Sequence, residues 1–328
     1  MSSQRLNIAL ESGSVSLPAE GRIVVFRPRA GFDLVALGRD RVDVVQSFRP
    51  DFEAFELAGY AVHPEVQGKF AAALVCVTRS KAENRALIAL ARRVTEGPIL
   101  VDGQKTDGIE SLLREIRKRA DVGEVISKAH GKLFAVTGGD FTDWAEGELP
   151  AVEGRFATAL GVFSADGIDA GSAALVAALP DKLPKRIADL GAGWGYLADA
   201  ILARKGVQEL HLVEAEKRSL DCARRNLDDP RARFHWADAT QFEAEEPFDA
   251  VIMNPPFHQS RAAEPSLGRA FIASAARLLK PAGQLWMVAN RHLPYEAAAA
   301  ELFRDVEELA GDNRFKILHA AKPRRGRG

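Results

Sequence analysis

Four short stretches in the C-terminal half carry side chains that can do chemistry. Asp189-Leu-Gly-Ala-Gly-Trp-Gly195 is a glycine turn with an acid two residues before its first glycine. Glu214 and the pair Asp238-Ala239 each close a later apolar run, and Val251-Ile-Met-Asn-Pro-Pro-Phe257 drives an apolar segment into an amide, two prolines and an aromatic ring. Glycines let a backbone approach a ligand closely, and a helix that opens behind them favours negative charge. The spacing is GxGxG rather than GxGxxG, and no Gly-Lys-Ser/Thr follows, so neither an ordinary dinucleotide site nor a nucleotide-phosphate loop is indicated. A carboxylate at Glu214 can accept hydrogen bonds from both hydroxyls of a ribose, and Asp238 stands where it could reach an adenine amino group. Each residue also has a bland reading. Glu214 could cap a helix, Asp238 could close a turn, and Pro255 and Pro256 could simply stop a strand, since they lack backbone donors and fix φ.

The elements that must hold these groups are legible. From Lys185 onward, strands expected at 186–190, 209–213, 233–236, 248–253 and 284–289 alternate with helices at 196–205, 215–227, 266–279 and 295–303. Such alternation argues for a doubly wound α/β domain with a mostly parallel sheet, whose ligands sit beyond the carboxyl ends of the strands. The last two runs, 306–309 and 315–320, have the turn-rich Gly-Asp-Asn between them and no helix, so they should form an antiparallel hairpin at the sheet edge. Three acids after three successive strands, with a glycine turn after the first, suit a ligand that carries an amino acid, a ribose and an adenine. That ligand is S-adenosylmethionine.

The first half reads as a worn copy of the second. Phe70-Ala-Ala-Ala-Leu-Val-Cys-Val77, a helix over 81–94 and Gly97-Pro-Ile-Leu-Val-Asp102 parallel the strand at 248–253, its helix and Pro281-Ala-Gly-Gln-Leu-Trp286. Val122-Gly-Glu-Val-Ile-Ser-Lys-Ala-His-Gly-Lys-Leu133 aligns without a gap to Val306-Glu-Glu-Leu-Ala-Gly-Asp-Asn-Arg-Phe-Lys-Ile317. Two tandem copies are therefore expected, joined near 144–154 and divided into 1–150 and 151–328. Where the second copy has its glycine turn and Asn254-Pro-Pro-Phe257, the first has Phe26-Arg-Pro-Arg-Ala-Gly31 and Thr78-Arg-Ser-Lys81, so the first has lost cofactor and catalytic functions.

The 328 residues are 47% apolar, enough for a substantial core, and the formal charge of −1 supplies no global field for nucleic acid. Local clusters remain. Arg22, Arg27, Arg29, Arg39, Arg41 and Arg49 crowd one early segment, and Lys322, Arg324, Arg325 and Arg327 end the chain. Cys76 and Cys222 have no metal-type spacing and read as packed thiols in a reducing compartment. No apolar run is long enough to span a membrane and no leader pattern is visible, so a cytoplasmic protein is expected.

These motifs resemble class I S-adenosylmethionine-dependent methyltransferases. Asn254-Pro-Pro-Phe257 is similar to the element of enzymes that methylate exocyclic or amide nitrogens. More narrowly, Gly161-Val-Phe-Ser-Ala-Asp-Gly-Ile-Asp-Ala-Gly-Ser172, Asn254-Pro-Pro-Phe-His258, Val288-Ala-Asn290, Leu293-Pro-Tyr295 and Arg314-Phe-Lys316 resemble the bacterial 16S ribosomal RNA guanine-N2 methyltransferases, which carry a degenerate copy of the fold before the active one. The resemblance is dense over 155–322 and mainly architectural before that. It implies a set of roles. Asp189, with Gly191, Ala192, Gly193 and Gly195, would receive the methionine part; Glu214 would hold the ribose; Asp238 and Ala239 the adenine; Phe163 and Gly171 would lie near cofactor and target. Asn254 and the Pro255 carbonyl would accept the two N–H bonds of a guanine amino group on the rigid Pro255-Pro256 loop, and Phe257 would stack on the base. His258 has nothing to orient it and reads as solvated. The product would be S-adenosylhomocysteine, and the partner ribosomal RNA or the small subunit, bound by a monomer through the basic clusters. Other acceptors remain open: large-subunit rRNA, an adenine N6 or a protein glutamine. So does a non-catalytic rRNA-binding assembly factor.

Overall fold

The computed structural model describes residues 3–256 and 265–325; Phe257, His258 and Arg327 lie outside the described residues. The chain divides into two compact units, Met1–Leu149 and Pro150–Gly328.

The first unit runs α1 (Ser3–Glu11), β1 (Ile23–Phe26), β2 (Val42–Val45), α2 (Arg49–Leu57), β3 (Ala61–His63), β4 (Ala72–Cys76), α3 (Lys81–Val94), β5 (Ile99–Gln104), α4 (Ile109–Ile116), β6 (Asp121–Val122), β7 (Ile126–Lys128) and β8 (Gly131–Thr137). Its sheet has the order β3-β2-β1-β4-β5-β8-β6, with β7 also on β8. Every residue of β1, β2 and β4 is buried, as expected of parallel strands covered on both faces. Ile109, Leu112, Leu113 and Ile116 put one apolar stripe of α4 into that core.

The second unit runs α5 (Ala170–Ala178), β9 (Arg186–Leu190), α6 (Tyr196–Leu202), β10 (Glu209–Glu214), α7 (Lys217–Asn226), β11 (Ala232–Trp236), β12 (Phe248–Met253), α8 (Pro265–Leu278), β13 (Leu279–Asn290), α9 (Tyr295–Leu302), β14 (Phe303–Gly311) and β15 (Phe315–Pro323). Its seven-stranded sheet, in the order β11-β10-β9-β12-β13-β15-β14, repeats that of the first unit except for the additional β7. β9 to β13 are parallel, and β15 runs antiparallel to both β13 and β14. The chain reverses its winding between β9 and β12, which opens a crevice beyond their carboxyl ends. Gly191-to-Gly195, following Asp189 of β9, and Asn254 leave the sheet at that point.

The expected α/β class, the tandem copies and the antiparallel C-terminal hairpins are all present. In both units the ungapped stretch enters the last strand at the same place. Lys132 is the second residue of β8 and Lys316 the second of β15. Several boundaries shift. Helix α6 stops at Leu202, short of Lys205, and β13 starts at Leu279, earlier than the expected 284. Lys280-Pro-Ala-Gly283, ahead of the expected strand, belongs to it through a register shift between Phe248 and Ala250 of β12.

Candidate active site

The glycine turn is built by three left-handed residues, Gly191, Gly193 and Gly195, with φ of 79°, 56° and 95°. Their roles differ. A Cβ on Gly195 would stand 3.2 Å from Ala223 and Leu227, so this glycine lets α6 approach α7, whereas a Cβ on Gly193 would meet nothing within 4 Å among the described residues. Gly193 therefore leaves its backbone uncovered on the cleft described below. Its amide donates to Glu214 Oε2 at 2.8 Å, and Glu214 Oε1 accepts from the Glu216 amide at 2.8 Å, so this carboxylate ties the turn after β9 to the end of β10.

Asp189 is fully buried, and among the described residues neither of its oxygens has a hydrogen-bond partner. Burial first, and the neighbouring charge of Glu214 second, push its carboxyl up to about 8. An acid in that position calls for a cationic or donor partner, because leaving it unpaired is unfavourable. An α-ammonium group satisfies the requirement.

Asn254 is the other fixed point. Its Nδ2 donates to Asp169 Oδ2 at 2.9 Å and to Ser172 Oγ at 2.8 Å, which occupies both amide protons. Among the described residues, nothing donates to its Oδ1, so this side chain presents an acceptor. Asp169 also caps α5, accepting from the Ser172 amide at 2.8 Å through the same oxygen. Neither Asp169 nor Ser172 stands out in the sequence beyond the motif that contains them. The Asp-x-x-Ser capping pattern just before a helix is the signal that would have found them.

An open cleft of about 380 Å³, solvent included, is lined by Phe163, Asp169, Ser172, Gly191, Gly193 and Asn254, among others. Ala192 also lines it. Phe163 is 65% exposed at this cleft, and its carbonyl accepts from the buried Trp194 indole at 3.1 Å. Asp189, Gly195, Glu214, Asp238, Ala239 and Gly171 stand outside the cleft wall. Gly171 acts one layer behind it: a Cβ there would lie 3.0 Å from Asp169 Oδ2 and 3.2 Å from the Phe315 ring. Asp238 closes a turn through Oδ1, which accepts from the amide and hydroxyl of Thr240, both at 2.8 Å. Ala239 is a core residue whose carbonyl accepts from Ser274 at 2.6 Å. Pro255 is buried and Pro256 exposed.

In the first unit the corresponding edge is closed by its own side chains. Arg27, with φ of 57°, donates to Gln46 Oε1 at 3.0 Å and to the Ser47 hydroxyl, and pairs with the buried Glu83 at 3.5 Å. Thr78 is taken up by Glu83 and Asn84 of α3. The early arginines mostly fold back on their own unit. Arg22 forks onto Asp43, Arg41 donates to the carbonyls of Pro18 and Gly21, Arg49 pairs with Glu53, and Arg39 stacks on Tyr60. At the other end Lys322 pairs with Asp305, while Arg324 and Arg325 donate to the carbonyls of Phe303 and Leu279. The expectation that these clusters are poised for phosphates is thus redirected: the guanidiniums meet acids and carbonyls that composition does not reveal. Arg29 is exposed.

The family described as the methyltransferase small domain matches residues 153–319, just over half of the chain. A ribosomal RNA small subunit methyltransferase C of Hahella chejuensis is 30% identical over 233 residues, covering 67% of this chain and 68% of that protein. A ribosomal RNA large subunit methyltransferase G of Ectopseudomonas mendocina is 36% identical over 166 residues, but the match covers 49% of this chain and only 44% of that protein. Among solved structures, a 16S rRNA N2 methyltransferase of T. thermophilus, in complex with AdoMet and guanosine, superposes with a TM-score of 0.78. It is 24% identical, and the match covers 94% of this chain and 90% of that one, a likeness of fold. Among the described residues, no helix is long and apolar enough to cross a membrane and no group of acids, histidines and cysteines could hold a metal.

Proposed function

The chain belongs to the methyltransferase small-domain family and uses S-adenosylmethionine; from that premise we propose that it methylates the exocyclic N2 of a guanine in small-subunit ribosomal RNA. The observation that carries the reading is Asn254, whose amide is turned by Asp169 and Ser172 so that Oδ1 is left as an acceptor on the cleft.

When bound, S-adenosylmethionine supplies an electrophilic methyl group on a sulfonium. Residues Asp189, Gly191, Ala192 and Gly193 would hold its methionine part. Glu214 would hold the ribose, a task that requires it to share or release the Gly193 amide, and Asp238 would offer Oδ2 to the adenine amino group. Gly195, Ala239 and Gly171 shape the surrounding backbone, and Phe163 flanks the entrance. A guanine amino group is a poor nucleophile because its lone pair is delocalised into the ring. Asn254 Oδ1 and the Pro255 carbonyl can each accept one of its N–H bonds and draw the nitrogen toward a tetrahedral geometry. No strong base is needed, since the proton leaves after methyl transfer, and the principal contribution is alignment of the reacting atoms. Pro255 and Pro256 make the loop rigid, and Phe257 is assigned the stacking face. A base held in a duplex cannot reach this cleft, so the target guanine must be unpaired or extruded.

The small-subunit assignment is supported by the length of the match to the Hahella relative, which extends beyond the second unit, and by the fold-level likeness over both units. Large-subunit rRNA is the second reading, favoured by the higher identity of the shorter Ectopseudomonas match. The first unit would act as support or as an RNA-binding module in a monomeric, cytoplasmic enzyme. Mass-spectrometric mapping of rRNA from cells with and without the gene tests the proposal. Loss of one N2-methylguanosine from 16S rRNA supports it. An unchanged 16S map with a lost 23S modification transfers the activity to the large subunit.

A further inference from the structure

We propose that Arg314 is the contact for a phosphate of the extruded target nucleotide, an inference that rests on the RNA substrate proposed above. Arg314 lies in the turn between β14 and β15, immediately before Phe315, which pairs with Asn290 at the carboxyl end of β13. β15 is two strands from β12 in the sheet order, so this turn stands roughly 10 Å to the side of the strand that delivers Asn254. The Phe315 ring bridges part of that gap, because a Cβ on Gly171 would touch both this ring and the Asp169 carboxylate that holds Asn254. The Arg314 guanidinium stacks over the Phe315 ring at 5.1 Å, and the residue is exposed.

The turn presenting Arg314 is rigid. Asp312 Oδ1 accepts from the amides of Arg314 and Phe315, both at 2.7 Å. Arg291 donates to the carbonyls of Asp312 and Phe315 and forks onto Glu308. Lys316, buried, donates to the Leu293 carbonyl at 2.6 Å and to Glu296 at 2.5 Å. Asp312 feels the charge of Arg314, yet its Oδ1 is committed to backbone amides.

The neighbouring cations identify Arg314 by elimination. Arg291, Lys316, Lys322, Arg324 and Arg325 all meet an acid or a carbonyl. Among the described cations of this hairpin, Arg304 and Arg314 have no such side-chain partner. Arg304 is near the Phe303–Pro323 end of the hairpin, opposite to the turn that carries Arg314. A flipped base carries its phosphates to the lip of the pocket, where a planar fork held flat by an aromatic ring is suited to receive one.

The test is the salt dependence of binding of a short single-stranded guanine-containing RNA, together with its KM, for wild type, Arg314→Gln, Arg314→Lys and Arg304→Gln. Arg314→Gln should raise KM for RNA about tenfold and reduce the slope of log K against log salt by about 0.7. KM for S-adenosylmethionine and Tm should hold, Arg314→Lys should recover most of the slope, and Arg304→Gln should match wild type. An unchanged slope in Arg314→Gln overturns the inference, whether or not affinity falls through lost stacking. An equal loss in Arg304→Gln, or no RNA binding by wild type, also overturns it. If wild type binds RNA but transfers no methyl group to it, the function reading fails while the slopes still judge Arg314.

Discussion

Replacing Asp169 by alanine removes two interactions that can be measured apart. One is the hydrogen bond from Asn254 Nδ2 at 2.9 Å, and the other is the α5 cap formed with the Ser172 amide at 2.8 Å. Hydrogen bonds to a charged group contribute about 1.5–3 kcal/mol, which corresponds to about a 10- to 150-fold change in rate if the bond is needed to align the acceptor. Without it the Asn254 amide can turn over and present donors to a nucleophile that itself donates. The lost cap costs about 1 kcal/mol, or about 2–4 °C in Tm. Steady-state kinetics with RNA and S-adenosylmethionine, alongside thermal unfolding, separate the two. We expect kcat to fall in that range, KM for S-adenosylmethionine to hold, and Asp169→Asn to recover Tm but only part of kcat. Ser172→Ala removes a neutral bond of about 0.5–1.5 kcal/mol and should lower kcat about 2- to 10-fold. A kcat for Asp169→Ala within about twofold of wild type, with Asn254→Ala inactive, would refute the claim that Asp169 orients the amide.

Three further outcomes follow from the same geometry. Asn254→Ala should abolish methyl transfer and leave the dissociation constant of S-adenosylmethionine nearly normal by calorimetry; retained activity would remove Asn254 from the chemistry. Asp189 is held at about 8, above its ordinary 3.8, so the folded state keeps a proton that the unfolded chain has released, and the ligand-free protein loses stability as pH rises between these values. Asp189→Asn should flatten the fall of Tm with pH across that window and weaken cofactor binding, and wild-type binding near pH 7 should release a proton, seen as a buffer-dependent heat. Gly171→Ala places a methyl group 3.0 Å from Asp169 Oδ2 and 3.2 Å from Phe315, and should lower Tm by a few degrees and kcat with it, at an overpacking cost of about 1–3 kcal/mol.

How far the sequence could be read depends on the range of each interaction. β12 matches its expected bounds because an apolar run meets Pro255 and Pro256, and α3 does so because Ser80 caps its start, accepting from the Glu83 amide at 3.2 Å. Glycine spacing exposed the turn at 191–195, since positive φ is a local demand. Asp169 and Ser172 went unassigned because they reach Asn254 across 85 and 82 residues, where no period or spacing announces the pair. The same limit misdirects the arginines. Arg22 meets Asp43 across 21 residues, and Arg325 meets the Leu279 carbonyl across 46. Arg314 shows the converse, a single cation with no weight in composition that gains significance from the Phe315 ring beneath it.

The central claim is tested most directly by incubating the purified protein and its Asn254→Ala variant with methyl-labelled S-adenosylmethionine and 30S subunits or 16S rRNA from cells lacking the gene, then digesting the RNA to nucleosides. Label in N2-methylguanosine, and none with the variant, is the predicted result. Label in another nucleoside, in ribosomal protein or in 23S rRNA alone, or N2-methylguanosine formed equally well by the variant, would contradict it.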